Sequence, residues 1–122
     1  MLNDADLERY ARQVIMPHVG EGGQEKLLGA KVLVVGAGGL GAPVIFYLAA
    51  AGIGHITIID DDMVSRTDLN RQIIYREEDV GRAKAKLAAE AAQAINPDIQ
   101  ISYLVTRLTK GNVKNLVTAH HV

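Results

Sequence analysis

Three glycines follow directly on the apolar run at residues 32–35 and form a Gly-x-Gly-x-x-Gly turn of Gly36, Gly38 and Gly41. A strand that leads into such a turn and then into a helix is typical of a cradle for nucleotide phosphates. Glycine is needed because the chain turns sharply with positive φ, and because backbone N–H groups approach phosphate oxygens where no side chain intervenes. The helix that follows directs the positive end of its dipole at the anion.

The residues around the turn support this interpretation. The pattern requires a strand before the turn, a helix after it and an acidic residue about 20 positions on. Residues 31–35, residues 40–51 and Asp60 meet these requirements in order. Asp60 ends a second apolar run, 56–59, which places its carboxylate at the carboxyl edge of a sheet, where a ribose hydroxyl can be bound. The alternative is a glycine-rich turn that only links a strand to a helix, with Asp60 as a polar stop.

The remaining pattern predicts an α/β fold. We expect helices over residues 3–16 and 22–28, with Gly29 ending the second in a left-handed conformation. A strand at 32–35, buried on both faces, is followed by a helix at 40–51, a strand at 55–59 and a long polar connection at 60–81. A helix at 82–95, a strand at 99–105 and a helix from about residue 110 complete the chain.

This order predicts a Rossmann-like parallel sheet with helices on both faces, as one domain. Residues 1–30 form a helical N-terminal segment, and residues 31–122 form an incomplete βαβαβ half. In the spatial order 3-2-1 the first strand lies at an edge, where a complete doubly wound sheet adds a fourth strand. An apolar edge strand favours aggregation. We therefore expect the N-terminal part of a longer protein, a natural truncation, or a chain that completes its sheet with a partner.

Composition excludes several classes of function. The 13 Lys and Arg nearly balance the 14 Asp and Glu, so no basic surface for nucleic acid is predicted. There is no cysteine, which excludes disulfides, a thiolate nucleophile and cysteine-ligated zinc. The N-terminus lacks signal-peptide features, and the longest apolar stretch, 40–54, is too short to span a membrane. We expect a cytoplasmic protein. The histidines show no metal-ligand spacing, so no metal ligand is predicted among them: His18, His55, His120 and His121.

Several short runs together resemble one known family, the ThiF/MoeB/HesA adenylyltransferases, bacterial relatives of the ubiquitin-activating enzymes. They lie at residues 9–13, 23–27, 36–41, 60–62, 69–72, 80–84 and 95–97. The resemblance covers essentially the whole chain in the family's order and spacing. Residues 96–100 and 107–109 are more similar to the thiamine-biosynthesis member.

The resemblance implies an ATP-dependent reaction. The C-terminal glycine carboxylate of a ubiquitin-like sulfur carrier, in a thiamine or molybdopterin pathway, attacks the α-phosphorus of ATP. An acyl-adenylate forms and pyrophosphate leaves. ATP with Mg²⁺, the carrier protein and a homodimer are therefore the implied cosubstrate, ion and partners.

The resemblance also implies the site. Nucleotide-binding positions would be Gly36, Gly38, Gly39, Gly41, Asp60, Asp62, Asp68, Asn70, Arg71 and Lys84, with catalytic roles for Arg12, Arg71 and Lys84. Gly39 would lie against the phosphates and Asp60 would hold the ribose, while Asp62 either orients its neighbours or ends the strand. Arg12 would act from the partner subunit as an arginine finger, because its fork of donors binds phosphate bidentately and stays charged.

Alternatives remain open for the charged residues. Arg12 on the first helix could be an exposed charge paired with Glu8, an interaction worth only about 0.3–0.5 kcal/mol. Arg71 and Lys84 could likewise be solvated surface residues.

The chain departs from the family's pattern in two ways. Asp68 stands where relatives usually carry asparagine, and an ionised carboxylate cannot donate a hydrogen bond and repels phosphate, so reduced nucleotide affinity is expected. The family's magnesium-binding aspartate, its carrier-binding surface, its crossover loop with a cysteine and its zinc-binding cysteines fall on segments beyond residue 122. We therefore expect the isolated chain to be inactive or nearly so.

Two other functions fit parts of the pattern. A dinucleotide-binding dehydrogenase domain shares the glycine turn and the strand-terminal acid. Against it, the cations Arg12, Arg71 and Lys84 suit a triphosphate better than a pyrophosphate. A catalytically inactive remnant that keeps the fold is the third possibility.

Overall fold

The computed structural model describes the whole chain, Met1–Val122. Its elements are, in chain order, α1 (Asp4–Arg9), α2 (Ala11–Val14), α3 (Gly20–Gly29), β1 (Lys31–Val35), α4 (Gly41–Ala51), β2 (His55–Ile59), α5 (Lys84–Ile95), β3 (Gln100–Leu104) and α6 (Val113–Thr118). Two short 3₁₀ turns, Arg66–Asp68 and Glu77–Asp79, lie in the long connection between β2 and α5.

The three strands form one parallel sheet in the order β1-β2-β3. Corresponding positions stand side by side, so that Val34, Ile58 and Tyr103 share one row across the sheet. Helices α4 and α5 connect successive strands and pack against each other. The predicted α/β fold class is confirmed, and β1 lies at an edge as the order 3-2-1 requires.

Apolar side chains between the sheet and these two helices form the core. Ile56 and Ile58 of β2 and Ile45 of α4 have no exposed surface. Full burial of side chains of this size contributes about 1.5–3 kcal/mol each. On α5, Ala85 and Ala88 face the core and are also fully buried, which allows the helix to approach closely. The core thus holds the carboxyl ends of β1 and β2 close to the starts of α4 and α5.

The opposite face of the sheet is partly covered by the C-terminal segment. Successive side chains of a strand point to opposite faces, so Thr57 faces away from the core formed by its two neighbours. The His120 ring contacts Thr57 Oγ1 through Nε2 at 2.8 Å and the Leu116 carbonyl through Nδ1 at 2.7 Å. Helices therefore lie on both faces, and this histidine has a structural role.

Residues 121–122 run beside the free edge of β1. The backbone N–H of residue 121 donates to the Lys31 carbonyl, and the Leu33 N–H donates to the carbonyl of residue 122, both at 2.8 Å. This pairing covers only the first half of β1. Val34 is 8% exposed whereas Val35 is 55% exposed. The prediction that this strand is buried on both faces is wrong, because the face that carries Val35 is left uncovered at this end of the strand.

Buried polar contacts attach α1–α3 to the amino end of the sheet. The Tyr10 hydroxyl, fully enclosed, accepts a hydrogen bond from Asn96 Nδ2 at 2.8 Å. Gln13 Nε2 donates to the Ala51 carbonyl at 2.7 Å. Gly52 ends α4 with φ +87°, and a Cβ there would lie 2.6 Å from the Tyr10 ring, so only glycine fits.

Some predicted boundaries differ from the structure. The helix predicted over residues 3–16 is divided at Tyr10, whose φ of −104° and ψ of 13° interrupt the helix between α1 and α2. The prediction that Gly29 adopts a left-handed conformation is wrong. It is the last helical residue of α3, and extended Ala30 ends the helix. Helix α6 begins at Val113 rather than near residue 110. None of the helices combines the length and apolar character needed to cross a membrane.

Candidate functional site

The turn between β1 and α4, residues 36–41, is here called the glycine loop. Gly36 adopts φ +96°, and its N–H donates to the Ile59 carbonyl at 2.8 Å. Four consecutive N–H groups that follow Ala37 have no acceptor within the chain: those of Gly38, Gly39, Leu40 and Gly41. Because they open an 11-residue helix, they combine free donors with the positive end of the helix dipole. This arrangement binds anions.

Gly41 fixes how closely α4 approaches β1. A Cβ at this position would lie 2.0 Å from the Gly36 carbonyl oxygen, far inside van der Waals contact. Gly38 and Gly39 have more room, since a Cβ there would meet its nearest neighbour at 3.7 Å. Of these glycines, Gly41 is thus the one that close packing demands.

Ala37, inside the glycine loop, is held at both of its backbone polar groups. Its N–H donates to Asp60 Oδ2 at 2.8 Å, and its carbonyl accepts a hydrogen bond from the Tyr75 hydroxyl. The other Asp60 oxygen, Oδ1, accepts the Asp62 N–H at 2.7 Å. Asp60 therefore shapes the loop in addition to standing at the end of β2.

The segment 71–75 lies against the glycine loop. The aliphatic part of the Arg71 side chain passes Gly39, and the Gln72 carboxamide passes Gly38, each at 3.7 Å from where a Cβ would stand. Gln72 is 4% exposed, and its Oε1 has no hydrogen-bond partner. An acceptor at such a buried position is costly to leave without a donor.

Burial raises the pKa of the Tyr75 hydroxyl far above its ordinary value of 10.0, and the carboxylates of Asp60, Asp68 and Asp79 act in the same direction. The side chain is 5% exposed. Tyr75 is therefore a neutral hydrogen-bond donor to the loop at physiological pH.

Lys84 and Asp68 form an ion pair beside the loop. Lys84 Nζ lies 3.1 Å from Asp68 Oδ2 and 3.9 Å from Asp62 Oδ2. The Lys84 side chain is 7% exposed and the Asp68 side chain 14%. Asp68 Oδ2 also accepts the Ser65 N–H at 2.9 Å, and this hydrogen bond, followed by the one from Lys84, lowers the pKa of Asp68. Lys84 is thus a largely buried cation, and the alternative of a solvated surface lysine is wrong.

Arg71 is exposed, and hydrogen bonds to its own segment orient its head group. Its Nη1 donates to the Thr67 carbonyl at 3.1 Å and to Asn70 Oδ1 at 3.0 Å. These contacts use one nitrogen of the guanidinium, so the remaining donors are available to an anion bound at the loop.

A cleft of about 260 Å³ opens at the carboxyl edge of the sheet. It is lined by Val35, Gly36, Ile59, Asp60, Asp61, Asp62, Thr106, Arg107 and Leu108. Of these, Gly36, Asp60 and Asp62 are among the residues predicted for the site. The last three, which were not predicted, follow β3, and the signal that identifies them is that the ends of parallel strands meet at one edge.

The structure brings together the glycine loop, Asp60, Asp62, Asp68, Asn70, Arg71 and Lys84, and it places Arg12 elsewhere. Arg12 lies in α2, beside the end of α4, whereas the loop stands at the start of that helix. Eleven helical residues span about 16 Å. Arg12 is exposed and makes no ion pair, and the predicted alternative of a pair with Glu8 does not form.

The triplet Asp60, Asp61 and Asp62 has carboxylate oxygens within 4.8 Å of one another. Mg²⁺ requires near-octahedral oxygen ligands. Asp62 Oδ2 lies 3.9 Å from the Lys84 ammonium, whose positive charge opposes a divalent cation at this place. These residues do not fit a dedicated magnesium site.

Known proteins are similar to this chain in sequence. The SAMP-activating enzyme E1 of Haloferax volcanii is 46% identical over 121 residues, which cover 99% of this chain and 45% of that protein. The sulfur carrier protein ThiS adenylyltransferase of Escherichia coli is 42% identical over 116 residues, which cover 95% of this chain and 46% of that protein.

A solved structure is similar throughout the chain. The crystal structure of the E. coli tRNA N6-threonylcarbamoyladenosine dehydratase TcdA in complex with ATP matches with a TM-score of 0.88 and 35% identity. The match covers 97% of this chain and 48% of that chain. The chain thus spans about half the length of the proteins it matches. The profile described as the ThiF family matches residues 10–122, and the chain therefore belongs to the ThiF family.

Proposed function

We propose that this chain supplies the ATP-binding part of an enzyme that adenylates the C-terminal glycine of a ubiquitin-like sulfur carrier protein. The observation that carries the proposal is the row of four free N–H groups in the glycine loop, with two cations, Arg71 and Lys84, beside it. A triphosphate carries more charge than one helix terminus neutralises, and these cations supply what is missing.

The phosphates of ATP would lie along the glycine loop. The N–H groups of residues 38–41 would donate to phosphate oxygens, and the free donors of Arg71 would reach them from beside Gly39. Lys84 would contribute a point charge once it exchanges its carboxylate partner for phosphate.

The nucleoside would occupy the cleft at the ends of the strands. Each Asp60 oxygen accepts one backbone N–H and keeps a second lone pair, so Asp60 can accept ribose hydroxyls without releasing the loop. Residues 106–108 also line the cleft, and a base would lie against them.

The reaction would then be a displacement at the α-phosphorus. A carboxylate oxygen of the carrier's terminal glycine forms a bond to the α-phosphorus, and the bond from that phosphorus to the oxygen bridging to the β-phosphate breaks. Pyrophosphate leaves with the electron pair. The chain's part is to hold the nucleotide in line and to stabilise the charge that develops on the leaving group.

Arg12 would act on the nucleotide of a second copy in a homodimer. Its distance from its own glycine loop exceeds the reach of an arginine side chain, and it has no ion-pair partner within the chain. An exposed and unpaired arginine at this place fits donation to a neighbouring subunit.

Calorimetry with ATP and with NADH, each in the presence of Mg²⁺, tests the proposal. ATP is expected to bind and NADH is not. Arg71→Ala should weaken ATP binding about 10-fold to 100-fold, because charge-assisted hydrogen bonds to phosphate contribute about 1.5–3 kcal/mol. Arg76→Ala is the matched control, since that exposed arginine lies in the same connection and pairs only with Glu78. NADH binding without ATP binding would contradict the proposal and favour a dehydrogenase domain.

Exchange of labelled pyrophosphate into ATP, with a carrier ending in Gly-Gly, tests the chemistry separately. Exchange that depends on the carrier supports adenylation. ATP binding without any exchange by this chain would restrict its role to nucleotide binding and agree with the expectation that residues 1–122 alone are inactive.

A further inference from the structure

Lys84 is the most buried cation of the site, and a carboxylate already neutralises it. It is the first residue of α5, and the two carboxylates within 4.0 Å of its Nζ are those of Asp68, at 3.1 Å, and Asp62, at 3.9 Å. Asp62 is 70% exposed on its side chain, whereas Asp68 is 14% exposed. Asp68 is thus the principal partner of the Lys84 ammonium in the unliganded chain.

The position of Asp68 is fixed by its own surroundings. The residue closes the 3₁₀ turn Arg66–Asp68, and its Oδ2 accepts the Ser65 N–H at 2.9 Å as well as contacting Lys84. The hydrogen bond from Ser65, the contacts with Lys84 and the nearby charge of Arg71 all lower the pKa of this carboxyl group. It is therefore ionised at neutral pH and is held on the ammonium rather than free to turn to solvent.

We propose that Asp68 sets the ATP affinity of this chain by competing with phosphate for Lys84. The inference rests on the proposed function, since it takes ATP phosphates as the ligand of this cation. An approaching phosphate meets an ammonium whose charge a carboxylate 3.1 Å away already cancels. Binding requires Lys84 to leave Asp68, or the phosphate to lie beside a negative charge, and either costs affinity.

The geometry distinguishes this competition from a merely structural salt bridge. Asp68→Asn keeps an oxygen that accepts the Ser65 N–H, gains an amide that can donate to phosphate, and removes the charge. The buried ammonium is then left without its close anion in the unliganded state. The variant is expected to be less stable than the wild type without nucleotide and to bind ATP more tightly.

The expected gain in ATP affinity is at least about tenfold. The repulsion energy between a carboxylate and nearby phosphates at a protein surface exceeds the free energy that corresponds to a tenfold change in affinity. The thermal midpoint of Asp68→Asn should fall without ATP and rise with saturating ATP by more than that of the wild type. A residue that only stabilises the fold would lower both midpoints equally and leave the affinity unchanged.

Glu78→Gln is the control for charge. It also removes one negative charge from the connection between β2 and α5, but its side chain is 74% exposed and its partner is Arg76. ATP affinity in this variant should change less than about twofold, as expected for a distant, solvent-screened charge.

Calorimetric titration of ATP into the wild type, Asp68→Asn and Glu78→Gln tests the inference, with Asp68→Ser as a second neutral variant in case the amide does not fold. Equal or weaker ATP binding by both neutral variants would overturn it. If the wild type binds ATP and loses affinity on Arg71→Ala, the proposed nucleotide site stands whatever Asp68 does. If no variant binds ATP, both proposals fail.

Discussion

Tyr75 offers a single-atom test of how the glycine loop is held. Its hydroxyl donates to the Ala37 carbonyl inside the loop, and the Lys84 carbonyl lies 3.4 Å away on the other side. The side chain is 5% exposed. Tyr75→Phe keeps the ring and removes only the donor, so the change opens no cavity around the aromatic ring.

At neutral pH the variant should be less stable than the wild type by about 1–2 kcal/mol. The loss is that of one intramolecular hydrogen bond together with the cost of leaving a buried carbonyl without its donor. Because that carbonyl belongs to residue 37, the loop should also loosen, and ATP affinity should fall about 3-fold to 10-fold, since the free N–H groups are no longer held in register.

The stability difference between the wild type and Tyr75→Phe should depend on pH. Burial raises the pKa of Tyr75 above 10.0, so the folded state holds the proton more tightly than the unfolded state does. The stabilisation of the wild type is complete below pH 10 and is lost as the pH rises above it, by up to about 1.4 kcal/mol per pH unit. Tyr75→Phe has no such proton, so its deficit should shrink by about 0.8 kcal/mol at pH 10.5.

Urea unfolding at pH 7, 9, 10 and 10.5 measures this difference. Tyr47→Phe is the matched control for removal of a tyrosine hydroxyl, because Tyr47 lies on α4 with 78% exposure. A deficit of Tyr75→Phe that stays constant from pH 7 to 10.5 would refute the argument, since it would mean that the hydroxyl ionises as readily in the folded state as in the unfolded one.

Two further predictions concern other parts of the site. Gly41→Ala should cost several kcal/mol of stability and abolish most ATP binding, because its Cβ would lie 2.0 Å from the Gly36 carbonyl oxygen. Urea unfolding measures the loss of stability, with Gly22→Ala as the control. Gly22 has open space in α3, so its replacement should be neutral or stabilising by about 0.5–1 kcal/mol. If Arg12 acts across a two-fold dimer, mixing Arg12→Ala with Arg71→Ala chains should restore about a quarter of the wild-type number of high-affinity ATP sites, because half of the dimers are mixed and each of these has one intact site. Calorimetry counts the sites. The absence of restored sites would exclude action in trans.

The fold could be predicted from local patterns because each element carries its own signal. Strand β2 has the predicted bounds, and α4 ends at Gly52 as its sequence indicates. Boundaries failed where tertiary contacts decide. Tyr10, where the predicted first helix is interrupted, is buried and accepts a hydrogen bond from Asn96, more than eighty positions away in sequence. Gly29 stays helical because extended Ala30 leads directly into β1, so no left-handed residue is needed.

The candidate site was predictable where the chain motif itself forms it. The glycine loop and Asp60 stand at one sheet edge because the ends of parallel strands must meet there. The contacts of Gln72 and Tyr75 with the glycine loop were not predictable, because nothing in the sequence distinguishes these two residues from others in the connection. Only the folded connection shows that they lie against Gly38 and Ala37.

The connection between β2 and α5 therefore forms a second wall beside the glycine loop, the proposed nucleotide site. Its residues 71–75 follow the glycine loop in antiparallel order, with Arg71 at Gly39, Gln72 at Gly38 and the later residue 75 at Ala37. A strand-to-helix connection of this length is costly to order unless contacts along it are gained. Here the contacts of residues 71–75 fall on the glycine loop, so a substitution among these residues changes the loop even where it touches no ligand. Because residues 71–75 contact the loop in this way, variants of Arg71 and Tyr75 should change ATP affinity as well as stability.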